Sequence, residues 1–218
     1  MQAAPAKLGK ALDTDTPISD FVLDEISRQG YLGVGRYVPL PGNDASRDCS
    51  RNEATNITNR GLGLWLVQHV RMPGWSPGQH SGGADGLHAA QWAASIDYQA
   101  EAHIFLDLEG IEPYTPHVAV ATEQYAVAWA ASVRQLGFSA GLYVGYDVPL
   151  SPRELYMLHG FDAYWSDPGP RSVITRGFCC VQGRQVKIAG VSFDEDTIQL
   201  DKLGCVFAWV EKNESQVE

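Results

Sequence analysis

The amino-acid sequence predicts an α/β fold of the (β/α)8 or TIM-barrel type, degenerate over its last strands, and three observations carry that expectation. Short apolar runs alternate with segments of helical period along nearly the whole chain. Three of those runs close on carboxylates spaced i, i+2: residues 10–15 with Asp13 and Asp15, 104–109 with Asp107 and Glu109, and 191–196 with Asp194 and Asp196. Parallel barrels gather side chains from the carboxyl ends of several strands at one rim, so three acid-tipped strands predict one shared site.

The elements follow in order. After the first strand, residues 18–29 have helical character and stop at Gly30, and a second strand covers 31–38. Ser50-Arg-Asn-Glu53 has the form of a capping box and opens a short helix ending at Gly61, ahead of a third strand over 62–69. An alanine-rich helix over 86–100 leads into the fourth strand, which delivers Asp107. Helical period over 118–136, halted by Gly137, precedes a fifth strand over 140–146. Ser151-Pro152-Arg-Glu154 joins a capping box to proline at the first helical position, predicting a helix over 151–158 and then a sixth strand over 162–167. The last two strands, near 178–182 and 188–193, are too close for a crossover helix, which is why the barrel end is expected to be degenerate. The irregular stretch 72–83 is expected to be a loop over the mouth. The run 205–210 allows an extra strand or a contact surface, and the polar tail from Glu211 is expected to fray.

With 218 residues, of which 44% are hydrophobic and 19% charged, one barrel domain spanning 1–218 is expected. A formal charge of -10 argues against nucleic-acid binding, which needs clustered Lys and Arg. No apolar run approaches the ~20 residues that cross a bilayer, so no membrane insertion is expected. The N-terminal residues lack the pattern of a signal peptide, implying synthesis in the cytoplasm and action at the cell wall after release or delivery by another system. Cys49, Cys179, Cys180 and Cys205 match no zinc spacing and read as free core thiols in a reducing compartment.

Asp107 and Glu109 point to chemistry on a sugar. Alternate residues of a strand share a face about 7 Å apart, and cleavage of a glycosidic bond needs one carboxyl to protonate the leaving oxygen and another to support positive charge on the ring. Like charges held close push their pKa values apart, leaving one protonated near neutral pH. Tyr37, Trp75, Tyr114, Tyr146 and Trp165 fall at or beyond strand ends, where rings can stack on pyranose faces; Trp165 is the strongest of these candidates. Gln68 and Gln182 sit near strand ends and offer hydrogen bonds to substrate hydroxyls. His69, His80, Asp85 and His88 match no common metal site, and neither Ser81-Gly-Gly nor Gly33-Val-Gly35 has the lysine and spacing of a phosphate loop, so no metal or organic cofactor is implied.

Asp13 on the first strand, the D-x-E of Asp107 and Glu109 on the fourth and the acidic last strand together resemble glycoside hydrolase family 25, the muramidase type of lysozyme. Gly83-Ala-Asp85-Gly86-Leu-His-Ala89-Ala-Gln-Trp-Ala93 before the fourth strand is closer still to a related glycoside-hydrolase-like family of unknown function. The resemblance runs from about Leu12 to Asp196. It implies Glu109 as general acid and base, Asp107 steadying the acetamido group or the sugar cation, Asp13 orienting the site, and Asp194 or Asp196 as a further carboxylate. The resulting expectation is a peptidoglycan-cleaving glycosidase, such as a phage lysin or delivered effector, attacking the β-1,4 bond after N-acetylmuramic acid. Two alternatives stand beside it: an inactive glycan-recognition domain with the same pocket, and a glycosidase acting on another polysaccharide.

Overall fold

In the computed structural model, which describes residues 1–169 and 173–213, strands β2 to β9 close a barrel. The elements are β1 (Gln2–Pro5), β2 (Gly9–Thr14), α1 (Asp20–Arg28), β3 (Gly33–Val38), α2 (Arg51–Asn59), β4 (Gly63–Gln68), α3 (Gly82–Ser95) and β5 (His103–Leu108), then α4 (Pro116–Gln135), β6 (Ser139–Val144), α5 (Pro152–Met157), β7 (Phe161–Ser166), β8 (Cys180–Ile188), β9 (Val191–Ile198) and β10 (Ala208–Glu211). Hydrogen-bonded neighbours run β4-β3-β2-β9-β8-β7-β6-β5 and return to β4. Seven staves are parallel; β9 alone runs against both of its neighbours, β8 and β2. A two-residue turn at Ala189 and Gly190 stands where a helical crossover would otherwise be, as the short spacing predicts.

Two apolar layers follow from strand alternation. Outward residues such as Leu12, Val34, Leu64, Leu66, Ile104 and Leu142 pack under the helices, with Ile26, Ile57, Ala90 and Trp129 from the helices above them. Inward residues Ala11, Trp65, Val67, Phe105, Tyr143, Ala163 and Trp165 fill the barrel with Phe207 and Trp209. Three of these aromatics, Trp65, Phe105 and Trp209, fit in so narrow a cylinder because the facing strand positions are glycine. A Cβ at Gly63 would stand 2.1 Å from Trp209, one at Gly35 2.6 Å from Trp65, and one at Gly141 2.4 Å from Phe105. Trp209 belongs to β10, which pairs with β1 and touches β4 at Leu64, so the extra strand allowed by the 205–210 run exists and plugs the amino end of the barrel.

Several local expectations change. The α3 helix starts at Gly82, capped by Ser81, four residues ahead of the expected start. Ser50 caps α2, but Glu53 does not complete a capping box: its carboxylate accepts from Ile18 N and Arg36 Nε, both at 2.8 Å. Arg36 is a fully buried arginine on the outer face of β3, and its guanidinium also donates to the carbonyls of Thr14 and Arg47. Ser151 and Glu154 do form the reciprocal box at the start of α5. Cys49, Cys179 and Cys180 are buried free thiols, whereas Cys205 is exposed. Glu211 closes β10 rather than fraying, and residues 214–218 of the tail lie outside the described residues.

Candidate active site at the barrel mouth

The side chains at the carboxyl end of the barrel are set by strand register. Asp107 of β5 pairs with Tyr143 of β6, and Tyr143 with Trp165 of β7. On the opposite wall Asp13 of β2 pairs with Asp194 of β9, and Gln182 of β8 with Asp196 of β9. Tyr37 of β3 faces the same space, acted on by Asp13, Asp107, Tyr143 and Glu109. Asp13, Tyr37, Asp107, Glu109, Gln182, Asp194 and Asp196 therefore converge, and Tyr143, which the sequence reading passed over, joins them.

One polar chain crosses the floor of this mouth. Tyr143 donates its hydroxyl to Gln182 Oε1 at 2.8 Å, and Gln182 Nε2 donates to Asp13 Oδ2 at 3.3 Å. Tyr37 and Asp196 lie close enough to Asp13 to act on its titration. Asp196 is anchored in turn by Trp165 Nε1 at 2.9 Å. Burial, followed by the Asp194 charge, raises Asp13 to about 7, and burial with the Asp13 charge holds Asp196 well above the carboxylate range. Burial also raises Asp194.

Asp107 and Glu109 form the second acidic group. Asp107 is 5% exposed and raised well above the usual range, first by burial, then by the charges of Glu109 and Asp13. Its Oδ1 is buried without a hydrogen-bond partner among the described residues. Glu109 lies higher, half-buried, against Gly145; a Cβ there would stand 2.0 Å from Glu109 Oε2. The Glu109 backbone is pinned from below, because its carbonyl accepts from Trp75 Nε1 at 2.8 Å.

Three candidates are placed differently from the sequence reading. Gln68 faces outward: its amide takes Trp129 Nε1 at 2.6 Å and donates to the carbonyls of Pro39 and Asp85, so it ties β4 to α3 and α4. The apolar alternation that puts Trp65 and Val67 inside leaves Gln68 with Leu64 and Leu66 outside. Trp165 is 1% exposed, edge-on to Tyr143, Trp65 and Phe105, and offers no face to a sugar. Trp75, part of the 72–83 loop, packs edge-on to Tyr125 and is likewise buried. Tyr146 is the ring left open at the rim, 42% exposed, beside Gly110 and within the field of Glu109; Tyr114 is exposed further out. His69 packs tilted against Tyr37 with ring centroids 4.6 Å apart and reaches buried Asp48 at 2.9 Å. Asp85 binds Arg71 and the Tyr125 hydroxyl, both at 2.6 Å. Among the described residues no three His, Cys, Asp or Glu side chains are grouped as a metal cage.

An eight-stave barrel with a D-x-E pair and further acids at its carboxyl-end rim defines a glycoside-hydrolase-like barrel. The profile of the Rv2525c-like, glycoside hydrolase-like domain family matches residues 24–167, and the chain belongs to that family. No curated protein sequence matches the chain significantly. Solved structures with the same fold include an uncharacterized Bacillus stearothermophilus protein, 15% identical, with a TM-score of 0.65 over 87% of this chain and 95% of that one. They also include the Tat-secreted Mycobacterium tuberculosis protein Rv2525c in complex with L-tartrate, 17% identical, TM-score 0.64, over 91% and 99% of the two chains. The modular autolysin LytC of Streptococcus pneumoniae is 11% identical with a TM-score of 0.52, covering 93% of this chain but 46% of its own.

Proposed function

We propose that this barrel is a peptidoglycan-cleaving glycosidase of the muramidase type, as its resemblance to glycoside hydrolase family 25 suggests, acting at the wall as a phage lysin or delivered effector. The observation that carries the reading is the setting of Asp107: a buried carboxyl with one oxygen unfilled, beside a second carboxyl that reaches the open mouth. Two close carboxyls can divide the work of glycoside hydrolysis, one delivering a proton and the other facing a ring that turns positive. With Asp107 ionised against the substrate, Glu109, nearer solvent, donates to the glycosidic oxygen as the bond to the anomeric carbon breaks. Asp107, deeper and with an unfilled oxygen, meets the acetamido nitrogen or the sugar cation. Glu109 then takes a proton from the water that completes hydrolysis. Asp13 and Asp196 orient the floor through Gln182, Asp194 adds charge at the wall, and Tyr146 offers a ring for stacking. The autolysin among the structures of similar fold makes wall polymer the first substrate to try.

The test is release of reducing ends from purified peptidoglycan. Wild type is expected to release them, and Glu109→Gln to lose release by roughly 100-fold or more, the scale of general acid catalysis, while still sedimenting with the wall. No release by wild type with sedimentation retained would favour a recognition domain. Release from other polysaccharides alone would move the substrate and keep the chemistry.

A further inference from the structure

β8 pairs with β7 at Cys180 and Val181, and beyond them its hairpin with β9 continues past the end of β7. A bulge decides which side chains of that hairpin meet the mouth. Gln182 pairs with Asp196 and Gln185 with Asp194, so two residues of β8, Gly183 and Arg184, stand opposite the single Glu195 of β9. The extra residue reverses the alternation. Val186 and Ile188, with Val191 and Phe193 across the pairing, turn outward into the apolar layer beneath the helices. Arg184 turns outward too, where its charge acts on Glu195 and Tyr31. The opposite face of the hairpin therefore carries Gln185, paired with Asp194, and Lys187, paired with Ser192. Gln185, Lys187 and Ser192 are all exposed. Same-face positions on a strand lie about 7 Å apart, so Lys187 and Ser192 stand about one such step beyond Asp194, away from the floor. Without the bulge, Arg184 would face the mouth and Lys187 the helices.

We infer that this inner face of the hairpin is a subsite for a carboxylate carried on a side arm of the bound glycan, with Lys187 as the residue that selects it. This rests on the glycan-cleft reading of the mouth and narrows its substrate to acidic glycans. Lys187 brings one positive charge and three N–H donors, Gln185 a side-chain amide and Ser192 a hydroxyl, and all of them can donate to a two-oxygen acceptor. The spacing also sets where the acid sits on the sugar. Carboxylates at the floor repel an anion seated among them, whereas one step outward the ammonium attracts it. The group recognised therefore hangs away from the reacting bond, as the lactyl carboxyl or a stem-peptide carboxyl of a muramyl unit does.

Isothermal titration tests this in a Glu109→Gln background, chosen to prevent turnover. Three probes are compared: a tetrasaccharide of alternating N-acetylglucosamine and N-acetylmuramic acid, the same molecule amidated at its lactyl carboxyls, and its stem-peptide-bearing form. At least one of the two acidic forms is expected to bind about threefold or more tightly than the amide at low salt, and to lose most of that margin at about 0.5 M salt. A margin for the first probe names the lactyl carboxyl as the group held, and a margin for the third alone names the peptide. Lys187→Gln is expected to erase the margin. Arg184→Gln removes the same charge from the outer face of the same strand and is expected to leave it; both positions are exposed, so neither change costs packing. Equal binding of all three probes, a margin that survives Lys187→Gln, or equal loss in the two variants overturns the inference while leaving the glycan cleft standing. Binding of none of the probes overturns both.

Discussion

Replacing Asp13 by asparagine is expected to make the protein more pH-independent and, above neutrality, more stable. Asp13 is 2% exposed, and burial with the Asp194 charge raises it from 3.8 to about 7. A carboxyl raised on folding stabilises most while both states hold the proton, below 3.8, and that contribution is lost as pH climbs through the folded value. At roughly 1.4 kcal/mol per pH unit, the interval amounts to about 4 kcal/mol lost between pH 4 and pH 7. Between pH 5 and pH 8 about two units of that interval are crossed, so a difference of about 2–3 kcal/mol is expected from this position. Asparagine does not ionise, keeps the volume, and can still donate to Asp196 and accept from Gln182. Guanidinium unfolding of both proteins at pH 5 and pH 8, followed by tryptophan fluorescence, reads the difference. The reasoning is refuted if the variant changes stability equally at both pH values, or if it is the less stable protein at pH 8. Activity on peptidoglycan is expected to fall even as stability rises, the usual relation at a site built from unfavourable charges.

Other perturbations probe the frame around the site. Glu53→Gln leaves the Arg36 guanidinium, 0% exposed, without its carboxylate, and is expected to cost about 3–5 kcal/mol in chemical denaturation; Arg36→Met with Glu53→Leu should recover most of it. Trp209→Ala empties the amino end of the barrel against Gly33 and Gly63 and is expected to cost about 3–5 kcal/mol, read as a lowered Tm. Gly145→Ala drives a methyl into the Glu109 carboxyl. A displacement near 1 Å predicts a loss of about 100-fold in turnover, measured as reducing-end release, with the melting temperature little changed.

The order of strands and helices was legible because each carries its own period, and the hairpin closure was legible from spacing too short for a helix. The convergence of Asp13, Asp107, Glu109, Asp194 and Asp196 was legible for the same reason, since residues two apart on a strand share a face. Gln68 was not, because Leu64, Trp65, Leu66 and Val67 are apolar on both faces of a fully buried strand and leave the inside unmarked. Trp165 lies on the inner face as its position suggests. Its depth depends on the stagger of the closed barrel, which no single strand encodes. Tyr143 is found only through its register with Asp107, and the contact of His69 with Tyr37 and Asp48 only through loops folded together. The β1–β10 pairing joins opposite ends of the chain, which local periodicity does not report.

Because β9 returns down the wall that β8 climbs, the hairpin can change height without disturbing the acids beneath it. Asp194 and Asp196 take their positions from pairing with Asp13 and Gln182, below the turn at Ala189 and Gly190. Residues added or removed at that turn would raise or lower one bank of the cleft while the ladder below stays in step. A helical crossover lacks that freedom, since changing its length shifts how the following stave enters the cylinder. In this barrel the hairpin is thus an adjustable parapet on one side of the mouth, whose height is set apart from the acids below it.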